Sequence, residues 1–119
     1  MTIEGLDVFK LAHELTIAIY RISERFPADE RFGLVSQMRR AASSVPSNLM
    51  EGSHRVGSKE LKHFVSTARG SCGELKYQIV LSRDLGYIDQ AEFDRLRDGF
   101  ERVSMMLTKL YASLDGKDE

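Results

Sequence analysis

The chain has 119 residues and a formal net charge of −1, with 42% hydrophobic and 29% charged residues. These are globular values that exclude wholesale disorder, and a chain of this length reads as one domain, residues 1–119, large enough for a core. A single cysteine, Cys72, excludes an internal disulfide framework, and no apolar run approaches the roughly 20 residues of a membrane span. The N-terminus, MTIEGLDVFK, has no basic segment followed by an apolar one, so the expected location is the cytoplasm.

Helical periodicity runs the length of the chain, and no alternating strand pattern competes with it. The first predicted helix spans about Asp7 to Arg25, with Val8, Leu11, Ala12, Leu15, Ile19 and Ile22 on one stripe and Pro27 as its stop. The second spans about Glu30 to Gly52 and turns Leu34, Val35, Met38, Ala42, Val45 and Leu49 inward. Pro46 lies inside that pattern and removes the backbone bond to the carbonyl of Ala42, so a kink is expected in a helix that nevertheless continues. Asn48 is the residue expected to satisfy a backbone group near the proline.

Ser53 to Ser58 reads as a turn, with Ser58 as the N-cap of a third helix running to about Leu85. Leu61, Phe64, Val65, Ala68, Cys72, Leu75 and Ile79 form its inner stripe, and Gly86 supplies a left-handed C-terminal position. Gly70 and Gly73 within it suggest the close approach of a neighbouring helix. Asp89 and Glu92 form a capping box for the last helix, about 89–114. Its core positions Phe93, Leu96, Phe100, Val103, Leu107, Leu110 and Leu114 alternate spacings of three and four. Four helices with short connections predict an all-α fold, an up-down-up-down four-helix bundle.

Charge is distributed unevenly. Residues 31–76 hold eight cations against three carboxylates, a local +5, whereas residues 1–30 and the stretch from residue 77 each come to −3. With about 100° per residue and the core of the third helix at zero, Lys76, Arg69, Lys62 and Lys59 fall at about 60°, about 80°, about 100° and about 160°. Glu74 and Glu60 fall on the other side. Lys62, Arg69 and Lys76 repeat every seven residues, a ladder that suits a polyanion. Arg39 and Arg40 extend it if the second and third helices are antiparallel neighbours. No aromatic is interleaved with these cations along the helix, so contacts to nucleic acid are expected to be mostly to phosphates.

Enzyme chemistry finds little support. Glu51 with His54 and Glu60 with His63 have the Glu-x-x-His spacing of di-iron bundles, but such sites also need inward carboxylates on the other helices, and the stripes of the first and fourth have none. No metal and no cofactor is expected. Cys72 lies in a core stripe, and Ser43, Ser44, Ser47 and Ser71 have no histidine at fixed helical spacing. No phosphate-cradling glycine loop is present, because Gly70-Ser-Cys-Gly73 precedes no helix start.

The string FPADERFGLVSQMRRAASSVPSNLMEG, followed by Arg55, by Ser58-Lys-Glu and by ARGSCGEL at residues 68–75, resembles the four-helix-bundle protein family of bacterial 23S rRNA intervening sequences. It is similar also to the accessory variability proteins of diversity-generating retroelements. The resemblance covers roughly Leu6 to Ile88. It implies a non-enzymatic bundle that assembles into a ring-like homopentamer whose basic surface binds RNA or single-stranded DNA; the alternative is a protein-interaction adaptor, for example one docking a retroelement reverse transcriptase. Carried over by position, Arg39, Arg40, Arg55, Lys59 and Arg69 are motif residues, and with Lys62 and Lys76 of the ladder they are the candidate nucleic-acid-binding residues. Gln37, Pro46, Asn48, Glu51, Gly52 and Glu74 are the motif positions with a structural role. Phe9 stands where many relatives have Trp, and Leu49-Met50 replaces a commoner pair of small residues.

Overall fold

Each of the four apolar stripes forms a helix in the computed structural model, which describes residues 2–115. The helices are α1 (Asp7–Ser23), α2 (Leu34–Ser53), α3 (Ser58–Asp84) and α4 (Gln90–Ser113), with 3₁₀ turns at Ile3–Gly5 and Ala28–Glu30. No strand occurs among the described residues. Each helix packs against the two beside it, and α1 closes the bundle against α4. Helix ends meet the beginnings of their neighbours: Arg25 pairs with Glu92 in the first turn of α4, and Lys62 near the start of α3 pairs with Asp115 beyond the end of α4. The result is a rod of 50 × 24 × 21 Å.

The core follows the predicted stripes, with small departures at the ends. Ile19, Met38, Leu49, Leu75, Ile79, Leu96, Phe100 and Leu107 are fully buried. Leu11, Leu61, Leu110 and Leu114 are half-buried against this cluster, and Phe64 is half-buried as well. Periodicity marks the side of a helix, but the ends of a rod have fewer neighbours to cover it.

Several termini differ from the expectation for physical reasons. Helix α1 stops at Ser23, two residues early, and a turn leads into Pro27. Helix α2 begins at Leu34, because Gly33 interrupts the pattern with φ −107° and ψ −108°. The Glu30 carboxylate accepts a long bond from the Leu34 N–H (3.4 Å), acting as a remote cap. Ser58 is the first residue of α3 and caps nothing; the cap position is Gly57, at φ 91°. That backbone conformation favours glycine, which is why the serine was displaced from the cap. At the far end Gly86 has φ 80°, and the bonds Tyr87 N–H to Ser82 O and Gly86 N–H to Arg83 O (both 2.9 Å) form a Schellman motif. The Asp89–Glu92 capping box is present, with bonds of 2.8 and 3.0 Å.

Helix α2 runs unbroken through a buried Pro46. The Ala42 carbonyl, deprived of its i+4 donor, receives the Thr16 hydroxyl of α1 at 3.1 Å, a proton shared with Ala12 O at 2.7 Å. Asn48 does not serve this carbonyl. Its amide reaches one turn back, to Ser44 O (2.7 Å) and Ser44 Oγ (2.9 Å), and Ala42 lies six residues away, beyond that reach. Ser44 Oγ is in turn 2.8 Å from Ser71 Oγ of α3, so Asn48 ties α2 to α3.

The glycines also redistribute. Gly70 and Gly73 have nothing within 4 Å of an added Cβ and lie exposed on α3, so no helix of this chain approaches them. The close approaches occur at Gly52, where a Cβ would lie 2.8 Å from Phe64 Cβ, and at Gly99, 2.6 Å from Leu15 Cδ2.

Candidate nucleic-acid interface

The seven candidate cations do not form one face; three helix seams divide them. On the α1/α2 seam, Arg39 donates to Ser23 Oγ (2.9 Å) and Tyr20 O (3.1 Å), and its guanidinium lies 4.8 Å from the centre of the Tyr20 ring. It therefore points away from α3 and does not extend the ladder. On the α2/α3 seam, Arg40 stands 3.9 Å from Glu74, which also accepts from Gln78 Nε2 at 3.3 Å. Arg55 pairs with Glu51 one turn earlier (2.9 Å) and covers the Phe64 ring at 5.2 Å. Arg55, Lys59, Glu60, His63 and Phe64 line an open hollow of about 550 Å³ near the α2–α3 turn.

Of the motif positions assigned a structural role, Asn48, Glu51, Gly52 and Glu74 fall on this same seam, and Pro46 lies in the core. Gly52 is packed under Phe64 and Leu61, Glu51 and Glu74 hold Arg55 and Arg40, and Gln37 is exposed on α2.

Lys62, Arg69 and Lys76 line the α3/α4 seam as a ladder. Lys76 pairs with Glu101 at 2.7 Å and Lys62 with Asp115. The Lys76 ammonium holds the Glu101 carboxyl below its ordinary range, first through the hydrogen bond and then through its charge, with Arg69 contributing less. Arg69 forms no ion pair among the described residues. Beside it Val65, Ser66, Leu107, Thr108 and Tyr111 complete a groove of about 250 Å³. The Tyr111 ring stands 4.5 Å from the Lys62 ammonium. Helix α4 thus brings Tyr111 among the cations of α3. Cys72 lies directly beneath, buried in the core; burial pushes its thiol up, against smaller opposite effects of Ser104, Lys76 and Arg69.

Two features escaped the reading of α3 alone. Glu101 and Thr108 of α4 and Asp115 just beyond it repeat every seven residues, and this matching period signals a register with Lys76, Arg69 and Lys62. Arg21, Arg25 and Arg95 converge from α1 and α4 on a hollow of about 350 Å³ in which Glu92 holds Arg25. Their separation in the chain hides that cluster from any local charge count.

Among the described residues no three or more of His, Cys, Asp and Glu are placed to hold a metal ion. Glu51 is committed to Arg55, and His63 stacks edge-on with Phe64 at 5.7 Å. No helix among the described residues is long and apolar enough to cross a membrane.

No curated protein matches the chain. The sequence model of one family, 23S rRNA-intervening sequence protein, matches residues 4–109, from the first 3₁₀ turn well into α4 and beyond the Leu6–Ile88 span of the motifs. With four helices packed as a bundle and a family match over most of its length, the chain belongs to the 23S rRNA-intervening sequence protein family.

Proposed function

We propose that the protein is a non-enzymatic homo-oligomeric scaffold, a pentameric ring, that binds RNA or single-stranded DNA through phosphates with little sequence preference. The observation that supports this reading is the α3/α4 seam, where Lys62, Arg69 and Lys76 stand in series with Tyr111 among them. Cations that track a backbone beside an aromatic surface are the ordinary means of holding a single strand. The carboxylate partners of Lys62 and Lys76 reduce the gain from a phosphate there without blocking it. Glu101 and Asp115 are themselves well exposed, and exposed ion pairs are weak, so phosphates can displace them. Releasing counterions from the strand then drives association.

Filter binding across a salt series tests this. Affinity is expected to fall with log salt at roughly −0.7 per phosphate contact for a single strand. Reversing Lys62, Arg69 and Lys76 to Glu is expected to weaken binding equally for all sequences and to flatten that slope. Binding indifferent to salt, or a triple variant with wild-type affinity, would refute it.

A second reading, a protein-interaction adaptor, draws on Phe32 and Val56, which are 88% and 92% exposed in the α1–α2 and α2–α3 connections. Co-purification of a protein partner that survives nuclease treatment would favour it.

A further inference from the structure

Helices α3 and α4 meet in a register that sets charges opposite one another: Lys62 with Asp115 just beyond α4 and Lys76 with Glu101, each pair separated from the next by fourteen residues on both sides. The middle rung of the same register is Arg69 opposite Thr108. A hydroxyl stands there in place of a carboxylate, and it is turned back into its own helix, where Thr108 Oγ1 donates to Ser104 O at 3.0 Å. Arg69 is left exposed, with neither ion pair nor hydrogen bond among the described residues. The groove of about 250 Å³ opens at this rung. Its floor is Val65 and Leu107, both fully buried, and its wall is Tyr111, 40% exposed.

We propose that this groove is a nucleotide subsite: one phosphate of a single strand supplies the missing countercharge at Arg69, and the adjoining base lies on the exposed Tyr111 ring. The inference rests on the reading of the protein as a single-strand binder and deepens it. A guanidinium fork matches phosphate oxygens two at a time, and its planar charge is weakly hydrated. The apolar and aromatic surface beside it selects an anion attached to a flat, apolar body over a bare ion. Ser66 at the rim offers a hydroxyl to the sugar or base edge. The outer rungs, already compensated, have less to gain from an added anion, so the central rung is where the strand is anchored.

The test is a fluorescence-anisotropy titration of the intact protein with two labelled strands of equal length, oligo-dT and an abasic strand. Wild type is expected to bind oligo-dT about tenfold more tightly, in keeping with one stacked base. Thr108→Glu restores the absent carboxylate and is expected to weaken oligo-dT binding by about tenfold, whereas Thr108→Gln, equal in size but uncharged, retains wild-type affinity. Tyr111→Leu is expected to bring oligo-dT down to the abasic affinity without changing the latter. Wild-type affinity in Thr108→Glu, an equal loss in Thr108→Gln, or equal binding of both strands by wild type with its salt slope intact would overturn the subsite alone. Failure of wild type to bind either strand at low salt would remove the underlying reading as well.

Discussion

Thr16 shows how one side chain lets an awkward residue into the core. Proline in mid-helix costs about 3 kcal/mol or more, partly through the carbonyl it strands. Here that carbonyl, on Ala42, finds a donor on the neighbouring helix at 3.1 Å. Thr16→Val keeps the shape and removes the donor, and is expected to cost about 1–3 kcal/mol in urea unfolding. An unchanged midpoint would mean that water serves Ala42. Glu101 makes a prediction of a different kind. Its folded pKa is lowered, so its bond to Lys76 stabilises the protein fully above the ordinary Glu value of about 4.3 and less as pH falls through the lowered value. Wild type is expected to melt above Glu101→Gln at neutral pH and to converge with it in acid. A gap that persists in acid would assign the effect to packing.

At the scale of elements, the glycines of α2 and α3 separate two reasons for having no side chain. Gly52 is required by contact: a Cβ would press on Phe64 Cβ, an atom that cannot rotate away without moving α3. Gly70 and Gly73 meet nothing, and each gives up about 1 kcal/mol of helix propensity. Gly70→Ala is therefore expected to raise stability by about 1 kcal/mol, and Gly52→Ala to lower it by about 1–3 kcal/mol through overpacking, as measured by thermal melting. A Gly70→Ala protein with an unchanged melting temperature would show that the propensity gain is offset elsewhere. The sequence alone placed the close approach at the wrong pair. Small residues on a helix permit contact, but only the neighbour's position decides whether contact occurs.

For the whole molecule, the arrangement of charge matters more than its sum. A local +5 in the sequence becomes three separate seams, and on two of them carboxylates sit against the cations. One subunit thus presents a modest field. A closed ring that repeats Arg69 in every subunit multiplies it on one face, which is why binding is expected to depend on assembly. Light scattering is expected to give a pentamer, and dilution below its assembly range to release the strand. Full affinity in a monomer would place the binding function within a single bundle.

The chain's local chemistry fixes much of this protein before any long-range contact is known. Four apolar stripes, a capping box at Asp89 and a left-handed Gly86 specify four helices, where α3 ends and where α4 begins, because each depends on residues within a turn or two of one another. The motifs from Phe26 to Leu75 were enough to identify the family. The partners of the charges were not legible in that way. Lys62 and Lys76 read as uncompensated because their countercharges lie 53 and 25 residues away, in a register set by how Val65, Cys72, Leu107 and their neighbours interlock. The same packing brings Tyr111 to Lys62 and Thr16 to Ala42. Helices follow from short-range backbone and side-chain preferences, whereas the candidate site exists only where two of them are held in one register by the core.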